Sequence, residues 1–358
     1  MDTNYGNDNV CSVSSELTDF EKDNLFNDQR TLLFKFNGNF EITTSNQNLY
    51  VDALTITLTV GNYTAATLAT HMQTQLNASS SGYTVTYSTT TYKFTITRTS
   101  AFTLALSSTT NAVWDDIGWV TSSDLTGSTS YTSEEMRVHT DEWIKFSFAG
   151  QTDVGFVGLV GDLNNALDIS EYATVTLQGN NSDVWTSGSV AYETTLTRTT
   201  NGLFKFIDTE TRQYQFWRIQ IIDRTNPLGP NLSLGYCYIG TFTNFSHNID
   251  VGFSASRIDN SSVFRSDGAT LYFDSKVKNL ALGNLRIAFL TTDDKLSLEN
   301  LFNDKGVTQP FFISLDPQLA VSSGLDEFTK FVRFGSNISM NHIINSYYQC
   351  SFELVEVV

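Results

Sequence analysis

The chain has 358 residues, 40% hydrophobic and 13% aromatic, enough apolar mass for two or three folded units. Its formal net charge is −17 and no run of Lys and Arg interrupts that sign, which argues against a direct nucleic-acid binder. No apolar stretch approaches the length of a membrane span, so no membrane partner is expected.

Only 16% of the residues are charged, and Thr, Ser and Asn make up the polar balance. Those residues suit wet strand faces and turns, so the composition points to β-sheet. The three cysteines, Cys11, Cys237 and Cys350, are far apart and form neither a disulfide framework nor a CxxC pair. Cys237 and Cys350 fall in apolar strand patterns and read as small core residues. The first residues, MDTNYGNDNVCSVSSELTD, lack a basic start followed by an apolar stretch, so folding in a cytoplasm is expected.

Residues 1–30 are polar and show no alternation. They read as an N-terminal arm or linker that orders against a neighbouring subunit. A small α+β module is predicted over 31–138. Leu54, Ile56, Leu58 and Val60 alternate with Thr, giving one buried and one wet strand face. A helix follows, with Leu68, Met72 and Leu76 on one side and Thr64 as N-cap. Tyr83, Val85 and Tyr87, then Tyr92, Phe94 and Ile96, predict a hairpin turning within 88–91.

Residues 139–248 carry strands without intervening helices, which describes a β-sandwich or jelly-roll. Ile144, Phe146 and Phe148 alternate inward, as do Trp217, Ile219 and Ile221. Residues 154–160 are apolar on both faces, as in a central strand. The region 249–358 is predicted to be mostly β. It has a short helix around Leu298, Leu301 and Phe302 and a last strand with Tyr348, Cys350, Phe352 and Leu354 on one face.

The usual equipment of catalysis is sparse. His71, His139, His247 and His342 occur in no HExxH, HxH or HxxH pattern, and GxSxG, GxGxxG and GxxxxGK[ST] are missing. The pairs Asp115–Asp116, Glu134–Glu135 and Asp293–Asp294 are adjacent, and on a strand neighbours point to opposite faces. Asp162, Asn164 and Asp168 could offer oxygens to a calcium ion, against the plainer reading of turn residues bonding their own backbone. No catalytic residue, metal ligand or cofactor is therefore assigned, and the chain is expected not to be an enzyme. Trp185, in the polar run Asn180-Asn-Ser-Asp-Val-Trp185, is the candidate carbohydrate-binding residue, with ring packing as the competing reading.

The order EWIKFSF, VGFVGLVGDLNN, ATVTLQGN, DVW, FWRIQIID, NP and LSLGYCYIGTF within 142–245 resembles the discoidin (factor 5/8 C-terminal, galactose-binding-like) fold. It is most similar to versions in structural proteins of tailed bacteriophages. The stretch from Gly61 to the TVTYSTTTYKFTITR hairpin, and LENLFNDKGVTQPFFISLDP with TKFVRF, are similar to segments of phage virion proteins. The resemblance implies a structural component of a phage tail, neck or capsid exterior. Such a protein is made in the host cytoplasm, carried in the virion, and partnered by copies of itself and other virion proteins. One alternative is a carbohydrate-binding host-recognition module facing a host-surface glycan; a second is a tail-associated glycan hydrolase.

Overall fold

The computed structural model describes all residues except 1–3, 8, 28–31, 162–167, 186–187, 199–202, 209, 211, 228–230, 251, 260, 266–270, 275–277, 316–328 and 358. The chain is mainly β, with a β-sandwich between a small α+β module and a mostly β C-terminal unit. Among the described residues no helix is long and apolar enough to cross a membrane.

In the N-terminal module, helix α1 (Ala65–Ser79) lies on a sheet of Leu54–Thr57, Asn48–Val51, Lys93–Leu104 and Tyr83–Ser88, with Leu125–Thr132 also paired to Lys93–Leu104. The 3.6-residue spacing puts Leu68, Met72 and Leu76 on the buried side, and the Thr64 hydroxyl accepts from the Thr67 amide at 3.3 Å. The strand expected over 54–60 is shorter. Ile56 and Leu58 are buried, whereas Leu54, at the start of the strand Leu54–Thr57, and Val60, beyond its end, are 42% and 53% exposed. Tyr92 belongs to the hairpin turn at φ 54°, not to the returning strand. Gly118, at φ 89°, lies so close to the Glu135 carbonyl that any Cβ would collide with it.

The sandwich strands are β1 (Cys11–Val13), β2 (Glu142–Asp153), β3 (Phe156–Val160), β4 (Thr174–Asn180), β5 (Tyr192–Thr195), β6 (Phe204–Ile207), β7 (Gln213–Ile222) and β8 (Tyr236–Gly240). One antiparallel sheet runs β1-β2-β7-β4-β5. It faces a sheet of Thr197–Arg198, β6, β3 and β8. Ile144, Phe146, Val157, Leu159, Val175, Leu177, Trp217, Ile219, Ile221, Cys237 and Ile239 fill the space between them.

The N-terminal segment is not a free arm. Among its described residues β1 pairs with β2, Cys11 and Leu25 are buried in the sandwich core, and Asn4 bridges to Gly240. Phe34 and Phe36, expected in the first module, also lie in this core, and Phe34–Lys35 pairs with Ser233–Leu234. The physical reason is that short strand pieces, apolar at single positions, are stabilised by partners more than a hundred residues away. Glu142, 1% exposed, seals the junction by accepting hydrogen bonds from the hydroxyls of Ser14 and Ser15.

The C-terminal strands are β9 (Ser254–Ile258), β10 (Ser262–Arg265), β11 (Leu271–Asp274), β12 (Asn279–Leu290), β13 (Phe311–Ser314), β14 (Thr329–Phe334), β15 (Ser339–Ile344) and β16 (Tyr347–Glu356). They form a sheet β9-β12-β16-β14-β13, with β15 also on β16, and a separate β10-β11 hairpin. Helix α2 (Thr292–Lys305) starts with a capping box between Thr291 and Asp294 and buries Leu298.

This unit covers the second face of the four-stranded sheet. Val157 and Leu159 of β3 point into the sandwich, while Phe156 and Val160 join Tyr236, Tyr238 and Phe331 on the other side. Phe312 packs within this layer, its ring 5.1 Å from Phe156 and edge-on to it, and 4.7 Å from a tilted Phe331. The contact needs Gly158, because a Cβ there would lie 2.6 Å from Phe312 Cζ. Gly158→Leu is therefore expected to cost about 1–3 kcal/mol by overpacking. Gly150→Leu, a position with nothing within 4 Å, should cost far less. Urea denaturation midpoints of the two variants check this, and equal midpoints would contradict it.

Burial pushes the Glu142 carboxyl up to about 7, against the lowering effect of the Ser14 and Ser15 hydrogen bonds. A folded-state value raised above the ordinary 4.5 gives a contribution fully present below that pH and lost as pH rises through about 7. Glu142→Gln should thus gain on the wild type between pH 4.5 and 8, by on the order of 3 kcal/mol. A stability difference that does not change over that range, followed by urea titration, would refute the assignment.

Candidate binding face of the sandwich

On β2, β7, β4 and β5 the residues that alternate with the core point away from it. Register lines them up in rows across the sheet. Lys145 is opposite Arg218, Arg218 opposite Gln178, and Gln178 opposite Glu193. The neighbouring row holds Trp143, Gln220, Thr176 and Thr195. Cross-strand neighbours at this spacing interact directly.

The rows are tied into one network. Arg218 Nε donates to Gln178 Oε1 at 2.7 Å, and Gln178 Nε2 donates to Glu193 at 2.5 Å and to Gln220 Oε1 at 3.2 Å. Gln220 Nε2 in turn donates to Asp141 at 3.0 Å. The loop after β4 then folds back over the face. Asp183 accepts from Lys145 Nζ and from Trp185 Nε1, both at 2.7 Å, and the half-buried Trp185 ring lies 4.7 Å from the Arg218 guanidinium. Lys145 Nζ is also 5.4 Å from the Trp143 ring.

Burial alone would raise the Asp183 carboxyl, but hydrogen bonds from Lys145 and Trp185 and the nearby charges of Lys145 and Arg218 hold it below the usual range. Burial lowers Arg218, opposed by the carboxylates of Asp141, Glu41, Glu193 and Asp183. Glu41 reaches this rim from the N-terminal module, where burial raises its carboxyl against the pull of Arg218. The Thr176 hydroxyl is buried among these groups without a hydrogen-bond partner. The result is two indoles beside amide, guanidinium and carboxylate groups held at fixed positions.

The other sequence candidates lie elsewhere. His71 stacks on Tyr63 at 5.0 Å and its Nε2 accepts from the Thr59 amide at 3.0 Å. His139 is fully buried, and burial pushes it down to about 4. His247 and His342 pack against Phe289 and Tyr348 in the C-terminal unit. Asp115, Asp116 and Asp141 converge on Arg224, with contacts of 2.6, 3.3 and 2.7 Å, and lock the N-terminal module to the sandwich. Glu134 accepts from the Val120 and Thr121 amides, Glu135 pairs with the buried Arg137, and Asp294 caps α2.

Asp162 and Asn164 lie outside the described residues, and Asp168 serves as acceptor for Asn226 and Ser233. Among the described residues no three of His, Cys, Asp and Glu come together as a metal-holding group. All three cysteines are buried. Trp217 is a core residue, and its Nε1 donates to the Thr152 carbonyl at 3.1 Å.

Of the sequence candidates only Trp185 belongs to this face, where the half-buried Trp143 joins it. Sequence reading missed Lys145, Asp183, Gln178, Glu193, Arg218 and Gln220. Strand alternation did carry a signal for them, since Arg218 and Gln220 are the polar positions between Trp217, Ile219 and Ile221. Strand order was the missing piece.

No protein-family model and no curated protein matches the chain. Among solved structures it is similar to a Streptococcus pneumoniae fucose binding module, with 10% identity and a TM-score of 0.21 over 28% of this chain. That alignment spans 62% of the module, less than two thirds of its length. It is also similar to the lectin domain of lectinolysin complexed with Lewis B antigen (15% identity, 30% of this chain and 70% of that one, TM-score 0.23). A third is the fucolectin from striped bass (Morone saxatilis) serum, with 9% identity over 61% of this chain and 80% of that one and a TM-score of 0.22. Likeness at this level is too weak to transfer a ligand or a site.

Proposed function

We propose that this is a non-enzymatic carbohydrate-binding protein whose contact surface is the outer face of the five-stranded sheet around Trp185. One observation carries the reading: Trp185 is held in place by Asp183 and Arg218 above a row of planar polar side chains. A sugar presents an apolar C–H face and, at its edge, vicinal hydroxyls that both donate and accept. An indole fixed at the margin of the sheet meets the first, and amide, carboxylate and guanidinium groups meet the second. Because the network already orders these side chains, binding loses little conformational entropy. The acidic groups of the face serve as acceptors for arginine, lysine and amide donors, which is the observation behind a non-catalytic role.

A second reading is compatible with the first. The exposed strands of the C-terminal unit, with Ile344 56% and Phe289 49% exposed, favour a subunit that is buried further by assembly. With the resemblance to phage structural proteins, this supports a component of a tail, neck or capsid exterior, made in the host cytoplasm and carried in the virion. The glycan contact would then be with the host surface.

On a glycan array the purified chain is expected to bind a defined set of glycans, and Trp185→Ala should weaken that binding about tenfold or more, the equivalent of about 1.4 kcal/mol. Thermal unfolding should show the variant folded, since the ring lies outside the apolar cores. Silence of the wild-type chain, or equal binding by a folded variant, would overturn the carbohydrate reading.

A further inference from the structure

Among the described residues the β10-β11 hairpin contributes to none of the hydrophobic cores. Its strands pair only with each other among the described residues. Val263 is opposite Phe273 and Phe264 opposite Tyr272, and successive residues face opposite ways, so both faces carry large apolar groups. These four side chains are 62%, 71%, 61% and 59% exposed, in that order. A two-stranded hairpin with neither face covered is at best marginally stable in water. The preceding strand β9 is an edge strand with all five residues exposed, and it leads into the hairpin with Ile258 40% exposed.

Charge separates this segment from the rest. Residues 252–279 carry four basic and three acidic side chains, a net of +1, so the other residues hold −18 against a total of −17. Two copies therefore repel over most of their surfaces but not where one presents this segment to the other. Arg257 and Arg265 are exposed there.

Area points the same way. Val263, Phe264, Tyr272 and Phe273, with Phe253 and Ile258, leave roughly 600 Å² of apolar surface in water at about 150–250 Å² per aromatic side chain. A stable interface takes about 800 Å² from each partner, a little over half of it apolar.

We infer that the β10-β11 hairpin and the adjoining β9 are the docking surface for a second copy of this chain. Both apolar faces of the hairpin are buried in that contact, and Arg257 and Arg265 meet the acidic body of the neighbour. The inference rests on the subunit reading above and adds the surface and the occupant.

Sedimentation velocity of the full chain over a range of concentrations tests it. The wild type should associate with micromolar or tighter affinity. Phe264→Glu with Phe273→Glu, one charge on each face, should weaken association about tenfold or more and leave the unfolding temperature unchanged. Tyr172→Glu, at a position 77% exposed on the sandwich, should associate as the wild type does. A wild type that stays monomeric throughout overturns the second copy as occupant, whereas the subunit reading falls only if the chain also fails to co-sediment with particles. An oligomer that the hairpin variant leaves intact overturns the hairpin alone.

Discussion

Strand β3 sets the constraint on which the architecture depends. Every residue from Phe156 to Val160 is buried, so the strand must be covered on both faces. The five-stranded sheet supplies one cover and the Phe312–Phe331 layer of the C-terminal unit supplies the other. The four-stranded sheet is therefore the middle layer of a three-layer stack. The five-stranded sheet is an outer layer, and its far face is free to become polar. A binding face is possible on one side because the hydrophobic requirement has been met on the other.

The N-terminal module meets the sandwich through charge. Burial lowers the Arg224 guanidinium, but the carboxylates of Asp141, Asp116 and Asp115 outweigh it and hold the group above its ordinary value. Removing one member of such a cluster leaves the others uncompensated, which makes the arrangement specific even where its net stabilisation is small. It also accounts for the adjacent acidic pair Asp115–Asp116. One carboxylate reaches Arg137 and Arg224, and the other is shared between Arg224 and Asn46.

Much of this was legible in the sequence where the signal is local. The α1 stripe, the core faces of β2 and β7, the two-faced apolar β3 and the last strand all follow from side-chain periodicity. Long-range closure was not legible. Cys11 pairs with Phe146 and Leu25 sits in a core built mostly after residue 140, and nothing in residues 1–30 names those partners. The candidate face shows the same division. Trp185 stood out because an indole in a polar loop is unusual. Gln178, Glu193 and Arg218 look like ordinary wet strand positions until register sets them side by side. A strand pattern tells which residues leave the core, not which strand comes next.

The proposed binding face is a surface that is already ordered, with an indole at its margin and hydrogen-bonding groups spread across four strands. The chain has five tryptophans, and three of them, Trp114, Trp119 and Trp217, are buried in cores. Their indole N–H resonances can be followed separately by NMR during titration with a glycan that the chain binds. The account predicts shifts at Trp185 and Trp143 with the three core indoles unmoved. Saturable binding that leaves Trp185 and Trp143 unchanged would place the site elsewhere and contradict it.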